Sequence, residues 1–107
     1  MTTKHQRRQF PRYHFGLAAL GEIGWPHTSE RQKVWLWDMS KAGISFKSYV
    51  PLEVGAVITV HLKGGCRSQV HCLPVQTIHS TKEPDGSWRV GCKFKDEVSG
   101  EIMEDVL

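Results

Sequence analysis

Hydrophobic and polar residues alternate along this chain over short stretches, which is the period of half-buried strands. In residues 56–62, Ala56, Ile58, Val60 and Leu62 fall on one face and Thr59 and His61 on the other. Residues 88–94 repeat the pattern, with Trp88, Val90, Cys92 and Phe94 together. Residues 34–37 are β-branched, aromatic or aliphatic: Val34 and Leu36 share one face, Trp35 and Trp37 the other. Both faces are apolar, so this strand is expected to be covered on both sides. Residues 12–20 suit a first strand, and residues 43–49 a short one with Ile44 and Phe46 pointing the same way. Residues 68–80 read as extended, with Pro74 marking an edge or a bulge.

The breaks between these stretches are turn chemistry. Residues 21–33 contain Gly21, Gly24 and Pro26 among polar residues and read as a long loop, with Trp25 covering an edge of the core. Residues 51–55, the Gly64-Gly65 pair and residues 84–86 read as turns. Only the last stretch changes period. Val98, Ile102, Val106 and Leu107 recur at helical spacing, with Asp96 or Ser99 as the cap. Hairpins dominate and strands do not alternate with helices, which argues against a parallel sheet. The expected fold is mainly β: an antiparallel barrel of about six strands, closed so that no edge is left open, with a C-terminal α-helix.

Composition adds bounds. The 107 residues form one domain, and 39% apolar with 23% charged is ordinary globular usage. We expect a flexible tail over 1–6, a basic arm over 7–12, the barrel to about 95 and the helix over about 97–107. No apolar run reaches the ~20 residues of a membrane helix, and the start lacks the apolar stretch of a signal peptide. A cytoplasmic protein without membrane insertion is expected. Cys66, Cys72 and Cys92 form no CxxC pair and read as small buried or half-buried thiols. The six histidines and three cysteines match no metal spacing, and no nucleophile–base pair or paired carboxylates stand out. Neither a metal, a cofactor nor an enzyme is expected.

Charge is +3 overall but polarised along the chain. Lys4, Arg7, Arg8 and Arg12 precede any acid, whereas Asp96, Glu97, Glu101, Glu104 and Asp105 crowd the other end. The two ends could attract each other, or the basic end could serve an external anion. Asp38-Met39-Ser40-Lys41-Ala42-Gly43 decides for the anion. It joins two strands and supplies a carboxylate, a hydroxyl and a glycine. Asp38 and Ser40 have the same strand parity and are expected on one side. A carboxylate accepts the paired N–H donors of a guanine edge, and guanidinium forks bind phosphate and stack on purines.

With these two motifs the chain resembles the PilZ domain, the bacterial receptor for cyclic di-GMP. The family's RxxxR is Arg8-Gln9-Phe10-Pro11-Arg12, preceded here by Arg7, and its DxSxxG is residues 38–43. The likeness continues through Pro-Leu-Glu-Val-Gly at 51–55 and Trp-Arg-Val-Gly-Cys-Lys-Phe at 88–94, and spans residues 7 to about 95. The resemblance implies a PilZ-like split barrel. It implies that Arg8 and Arg12 hold phosphate or stack on guanine, that Asp38 reads a guanine edge, and that Ser40 fixes the turn and reaches the ligand. Gly43 would be steric, and Arg7 would add a contact associated with a stacked pair of ligands. It implies an arm ordered by its ligand, relaying the signal to a protein partner by a monomer or homodimer. The alternatives are a ligand-independent interaction module on the same fold, and a small barrel binding RNA or single-stranded DNA. The modest charge and acidic C-terminus speak against a nucleic-acid polymer.

Overall fold

The computed structural model describes residues 10–17, 19–65 and 69–107. Among these residues seven strands are present: β1 (Tyr13–His14), β2 (Leu20–Gly24), β3 (Arg31–Met39), β4 (Gly43–Ser48), β5 (Val57–Lys63), β6 (Val70–Lys82) and β7 (Trp88–Phe94). Among the described residues one helix, α1 (Gly100–Val106), follows β7. All pairings are antiparallel, in the order β1-β3-β2-β5-β6-β7-β4, and a further β3–β4 pairing closes the ring. Six strands therefore form the expected barrel, and β1 is an extra strand laid along β3 beyond the end of β2.

The first strand differs from its expected form. Continuing the β1 register would put Leu17 opposite Trp35, but Leu20 stands there instead. The strand expected over 12–20 is thus split by the turn around Gly16 and Leu17, where the Ala19 N–H bonds back to the Gly16 carbonyl. Residues expected as a long loop instead form β2, the tight link around Trp25–Thr28 and the first turn of β3. Glycine and charge hid this strand. A Cβ at Gly21 would meet the end of the Leu36 side chain at 2.9 Å, and one at Gly24 would press on Arg31 and His61 at 3.3 Å.

The core is the barrel interior. Ile23, Val34, Ile44, Phe46, Ile58, Val60, Leu62, Val75 and Val90 are all essentially sealed from solvent. These are the inward positions of each alternating strand, and their burial supplies most of the stabilisation, at ~25 cal/mol per Å² of apolar surface. The β3 face carrying Trp35 and Trp37 is not covered as expected: they are 39% and 47% exposed. Gly55 (φ 93°) and Gly86 (φ 90°) occupy the turns expected for them in left-handed conformations.

Helix α1 starts at the Ser99 cap, whose hydroxyl accepts the Ile102 N–H. Met103 is its buried residue and joins Val98 in the core, while Ile102 and Val106 pack at the margin and Leu107 stays exposed. The far end of α1 is pinned to the β5–β6 hairpin. His71 Nε2 lies 2.7 Å from Asp105 Oδ2, and the Gly65 N–H bonds to the Asp105 carbonyl at 2.9 Å. Cys72 is exposed rather than half-buried, and Cys92 is buried. Cys66 lies outside the described residues.

Candidate functional site

Two β-bulges build the site. In a regular strand Trp37 and Asp38 would point to opposite faces. Between Leu36 and Asp38 the β3–β4 register slips by a bulge: Leu36 pairs with Phe46, yet Asp38 pairs with Ser45. Phe46 faces the core and Ser45 the outside, so Trp37 and Asp38 both emerge on the outer surface. The β6–β7 pairing slips in the same way between Thr77 and His79. Thr77 points inward, while Ile78 and His79 both point out.

The two slips bring four residues into one cross-strand row: Asp38 on β3, Ser45 on β4, Gly91 on β7 and His79 on β6. Ser45 and Gly91 are small and form a floor. The His79 imidazole lies over Gly91, occupying the place a Cβ would take. The result is a groove of about 440 Å³ lined by Arg12, Trp37, Asp38, Ser45, His79 and Arg89, among others.

Arg12 and Asp38 meet in this groove although they are 26 positions apart in sequence. Arg12 Nη2 donates to Asp38 Oδ1 at 2.7 Å, and Ser45 Oγ donates to the same oxygen at 2.6 Å. The register Tyr13↔Met39 and His14↔Asp38 explains the encounter, because β1 lays the end of the arm beside the end of β3. Burial works to raise the Asp38 carboxyl. The hydrogen bonds from Arg12 and Ser45, with the charges of Arg12 and His14, outweigh it and hold the carboxyl below its ordinary value. Asp38 is therefore ionised at neutral pH. Among the described residues both of its side-chain hydrogen bonds go to Oδ1, and none goes to Oδ2.

Trp37 is the second feature. The Arg89 guanidinium lies over its indole, 4.3 Å from the centroid, and the His14 ring meets its edge at 5.9 Å. Arg89 and Trp37 also border a neighbouring trough of about 550 Å³ with Trp35, Lys47 and Tyr49. The site thus presents a fixed carboxylate, two guanidiniums and an exposed aromatic face. That set suits an anionic ligand with planar rings.

The other expected residues divide. Ser40 is buried in the turn and does not share a side with Asp38. Its hydroxyl accepts the N–H groups of Ala42 (3.1 Å) and Gly43 (3.3 Å), and its own N–H bonds to the Gly43 carbonyl at 2.8 Å. The end of the strand explains the difference: β3 stops at Met39, and Ser40 stands in the turn, where strand alternation no longer sets its side. Gly43 opens β4, and a Cβ there would sit 2.5 Å from the Cys92 carbonyl oxygen. Its lack of a side chain serves the β4–β7 pairing. Arg7 and Arg8 lie outside the described residues. Trp37, Ser45, His79 and Arg89 were not singled out as site residues from the sequence. The two bulges that recruit Trp37 and His79 have no signature in the pattern of residues, and Arg89 needs the β3-β4-β7 order to reach Trp37. The histidines are dispersed: His61 Nδ1 lies 3.2 Å from Cys72 Sγ, His71 pairs with Asp105, and His79 stays in the groove.

Barrel, helix and groove define a small antiparallel β-barrel with a charged, aromatic-walled groove. The PilZ domain model matches residues 6–107, and the chain belongs to that family, one of cyclic di-GMP receptors rather than enzymes. Solved structures agree in fold. The inhibitor of motility MotI/DgrA of Bacillus subtilis superposes with a TM-score of 0.69 at 12% identity, over 94% of this chain and 48% of its own. The PilZ domain of YcgR from Escherichia coli, solved with cyclic di-GMP, gives 0.66 at 17% identity, over 91% and 83%. The MrkH–cyclic di-GMP complex of K. pneumonia gives 0.65 at 14% identity, over 92% and 48%. The chain thus spans about half the length of the MotI and MrkH chains. No curated protein matches it in sequence.

Proposed function

We propose that this protein is a cytoplasmic receptor for cyclic di-GMP, binding it between the arginine arm and the turn over residues 38–43. The observation that carries the reading is the Arg12–Asp38 pair, which joins the two motifs in one groove beside the Trp37–Arg89 stack. Arg8 and Arg12 take the phosphates, and Asp38 takes a guanine edge through Oδ2, the oxygen that Arg12 and Ser45 leave unused. Arg89, stacked on Trp37, offers its second face to a guanine and its edge to a phosphate. Ser40 acts by shaping the turn, and Arg7 extends the cationic arm. Three close guanidiniums repel one another until an anion joins them, so ligand binding reorganises the arm. The arm's new position is the signal to a protein partner. No covalent step is required.

Isothermal calorimetry with cyclic di-GMP tests this. Micromolar or tighter binding, lost in Arg8→Ala and Asp38→Ala, is expected, and the stoichiometry separates one ligand from a stacked pair. No heat at tens of micromolar would sink the reading. One observation favours a second reading, the ligand-independent interaction module: Asp38 Oδ1 already has two donors within the chain. That reading predicts no heat and an unchanged partner affinity when cyclic di-GMP is added.

A further inference from the structure

A second groove, of about 600 Å³, lies between α1 and the root of the arm. Pro11, Tyr13, Lys41, Met103, Glu104 and Leu107 line it. We propose that it is the docking site for a basic, amphipathic segment of a partner protein, seated with its apolar face down and its lysines or arginines along the rim. Docking itself is independent of the proposed ligand, whereas its coupling to the arm rests on that reading.

The floor is apolar. Met103 reaches into it from α1, and Tyr13 and Leu107 leave about half their surfaces open, at 49% and 47%. Such a groove accepts the i, i+3, i+4 and i+7 side chains of a short helix.

Of the groove's charged lining residues Glu104 is acidic and Lys41 basic, and the segment that carries α1 adds further acids beside it. Residues 96–107 contain Asp96, Glu97, Glu101, Glu104 and Asp105 and no Lys, Arg or His, while every Lys and Arg of the chain lies before them. Asp96, Glu97, Glu101 and Glu104 are exposed. These acids disfavour an anionic membrane or a nucleic acid on the α1 side of the groove. A two-fold dimer through the same patch would set acid against acid. A basic segment complements it, and steering by opposite charge speeds the encounter.

The walls belong to both halves of the candidate ligand site. Pro11 and Tyr13 flank Arg12, whose side chain reaches the other groove. Lys41 sits within the turn over 38–43, and its carbonyl accepts the Val98 N–H at 2.9 Å, just ahead of α1. The helix is held at its other end by His71 and Gly65. A rearrangement of Arg12 or of the turn therefore changes one wall while the helix wall stays in place.

The test uses the full chain and a fluorescein-labelled Leu/Lys peptide of about 14 residues with leucines at helical i, i+3, i+4 and i+7 spacing. Two control peptides carry Glu in place of Lys, or the same residues with the leucines scattered. Anisotropy is expected to show tens-of-micromolar binding of the first peptide only, weakening as salt rises. Glu104→Lys and Leu107→Asp should each weaken it about tenfold or more, while Val57→Asp, on the far β5 surface, should not. Saturating cyclic di-GMP should shift the affinity, and Asp38→Ala should abolish that shift.

Equal binding of the Glu peptide, or indifference to Glu104→Lys and Leu107→Asp, overturns the proposal. So does a need for the Lys4→Ala/Arg7→Ala/Arg8→Ala variant before the peptide binds, which would assign the groove to the chain's own basic end. A dimer in sedimentation that Glu104→Lys dissolves would assign it to a second copy and overturn the proposal as well. If cyclic di-GMP itself fails to bind, the receptor reading falls, and the peptide titration still decides the docking site.

Discussion

Arg89 on β7 reaches across β4 and lays its guanidinium on the indole of Trp37 on β3, 4.3 Å from the ring centroid. The contact holds a flat cation at the border of two grooves. Cation–π contacts contribute about 1 kcal/mol, and charge-assisted contact to a ligand adds to that. Arg89→Ala should therefore weaken cyclic di-GMP binding about tenfold or more. Arg89→Lys should recover only part of this, since an ammonium cannot stack. Trp37→Ala should act in the same direction. Calorimetry reads the affinities, and an unchanged melting temperature would show that the barrel is intact.

Asp38 is expected to titrate below its ordinary 3.8, because the Arg12 and Ser45 bonds and nearby positive charge outweigh burial. A depressed folded value has a definite sign. The stabilisation is fully present above the unfolded value and is lost as pH falls through the lower folded one. Carboxyl-carbon NMR titration should show the low midpoint, and Arg12→Ala should move it up. Asp38→Asn separates two roles. Its amide oxygen still accepts from Arg12, but the adjacent NH₂ cannot accept from a guanine edge. If Asp38→Asn binds cyclic di-GMP like the native chain, Asp38 serves only to position Arg12.

Gly43 and Gly100 should respond oppositely to alanine. At Gly43 the new Cβ meets the Cys92 carbonyl oxygen at 2.5 Å, and backbone cannot step aside. Overpacking of this kind costs roughly 1–3 kcal/mol. At Gly100 nothing lies within 4 Å, and the residue is helical. There alanine should stabilise by a few tenths to about 1 kcal/mol. Thermal denaturation should show a fall of several degrees for Gly43→Ala and a small rise for Gly100→Ala.

Cys72 and Cys92 should differ in reactivity. Cys72 is exposed beside His61, whereas burial pushes the Cys92 thiol up to about 11. In a Cys66→Ser background, a thiol reagent at pH 8 should modify Cys72 quickly and Cys92 only on unfolding. Fast labelling of Cys92 in the native protein would mean that the β6–β7 wall opens.

Much of the fold was legible because the barrel's inward positions obey a period of two. Ile58, Val60 and Leu62 on β5, and Val90, Cys92 and Phe94 on β7, are buried as their alternation requires. Turns at Gly55 and Gly86 were legible because only glycine takes those conformations cheaply. What failed was β2, whose glycines and Glu22 disguise a strand that neighbouring Leu36 and His61 require to be narrow. Helix α1 was found, but Met103 rather than Leu107 became its buried anchor.

By itself the sequence determined the barrel, its capping helix, the two motifs and the polarity of charge, because these depend on local period, turn chemistry and residue type. Tertiary structure alone decided how the motifs meet. The bulge at Trp37 turns Asp38 outward, and the interrupted first strand lays Arg12 beside it. Ser40 turns inward to hold its own loop, while Ser45, His79 and Arg89 enter the site from three other strands. A one-residue slip in register reverses every side chain beyond it, and such slips are set by the neighbouring strands rather than by the residues that slip.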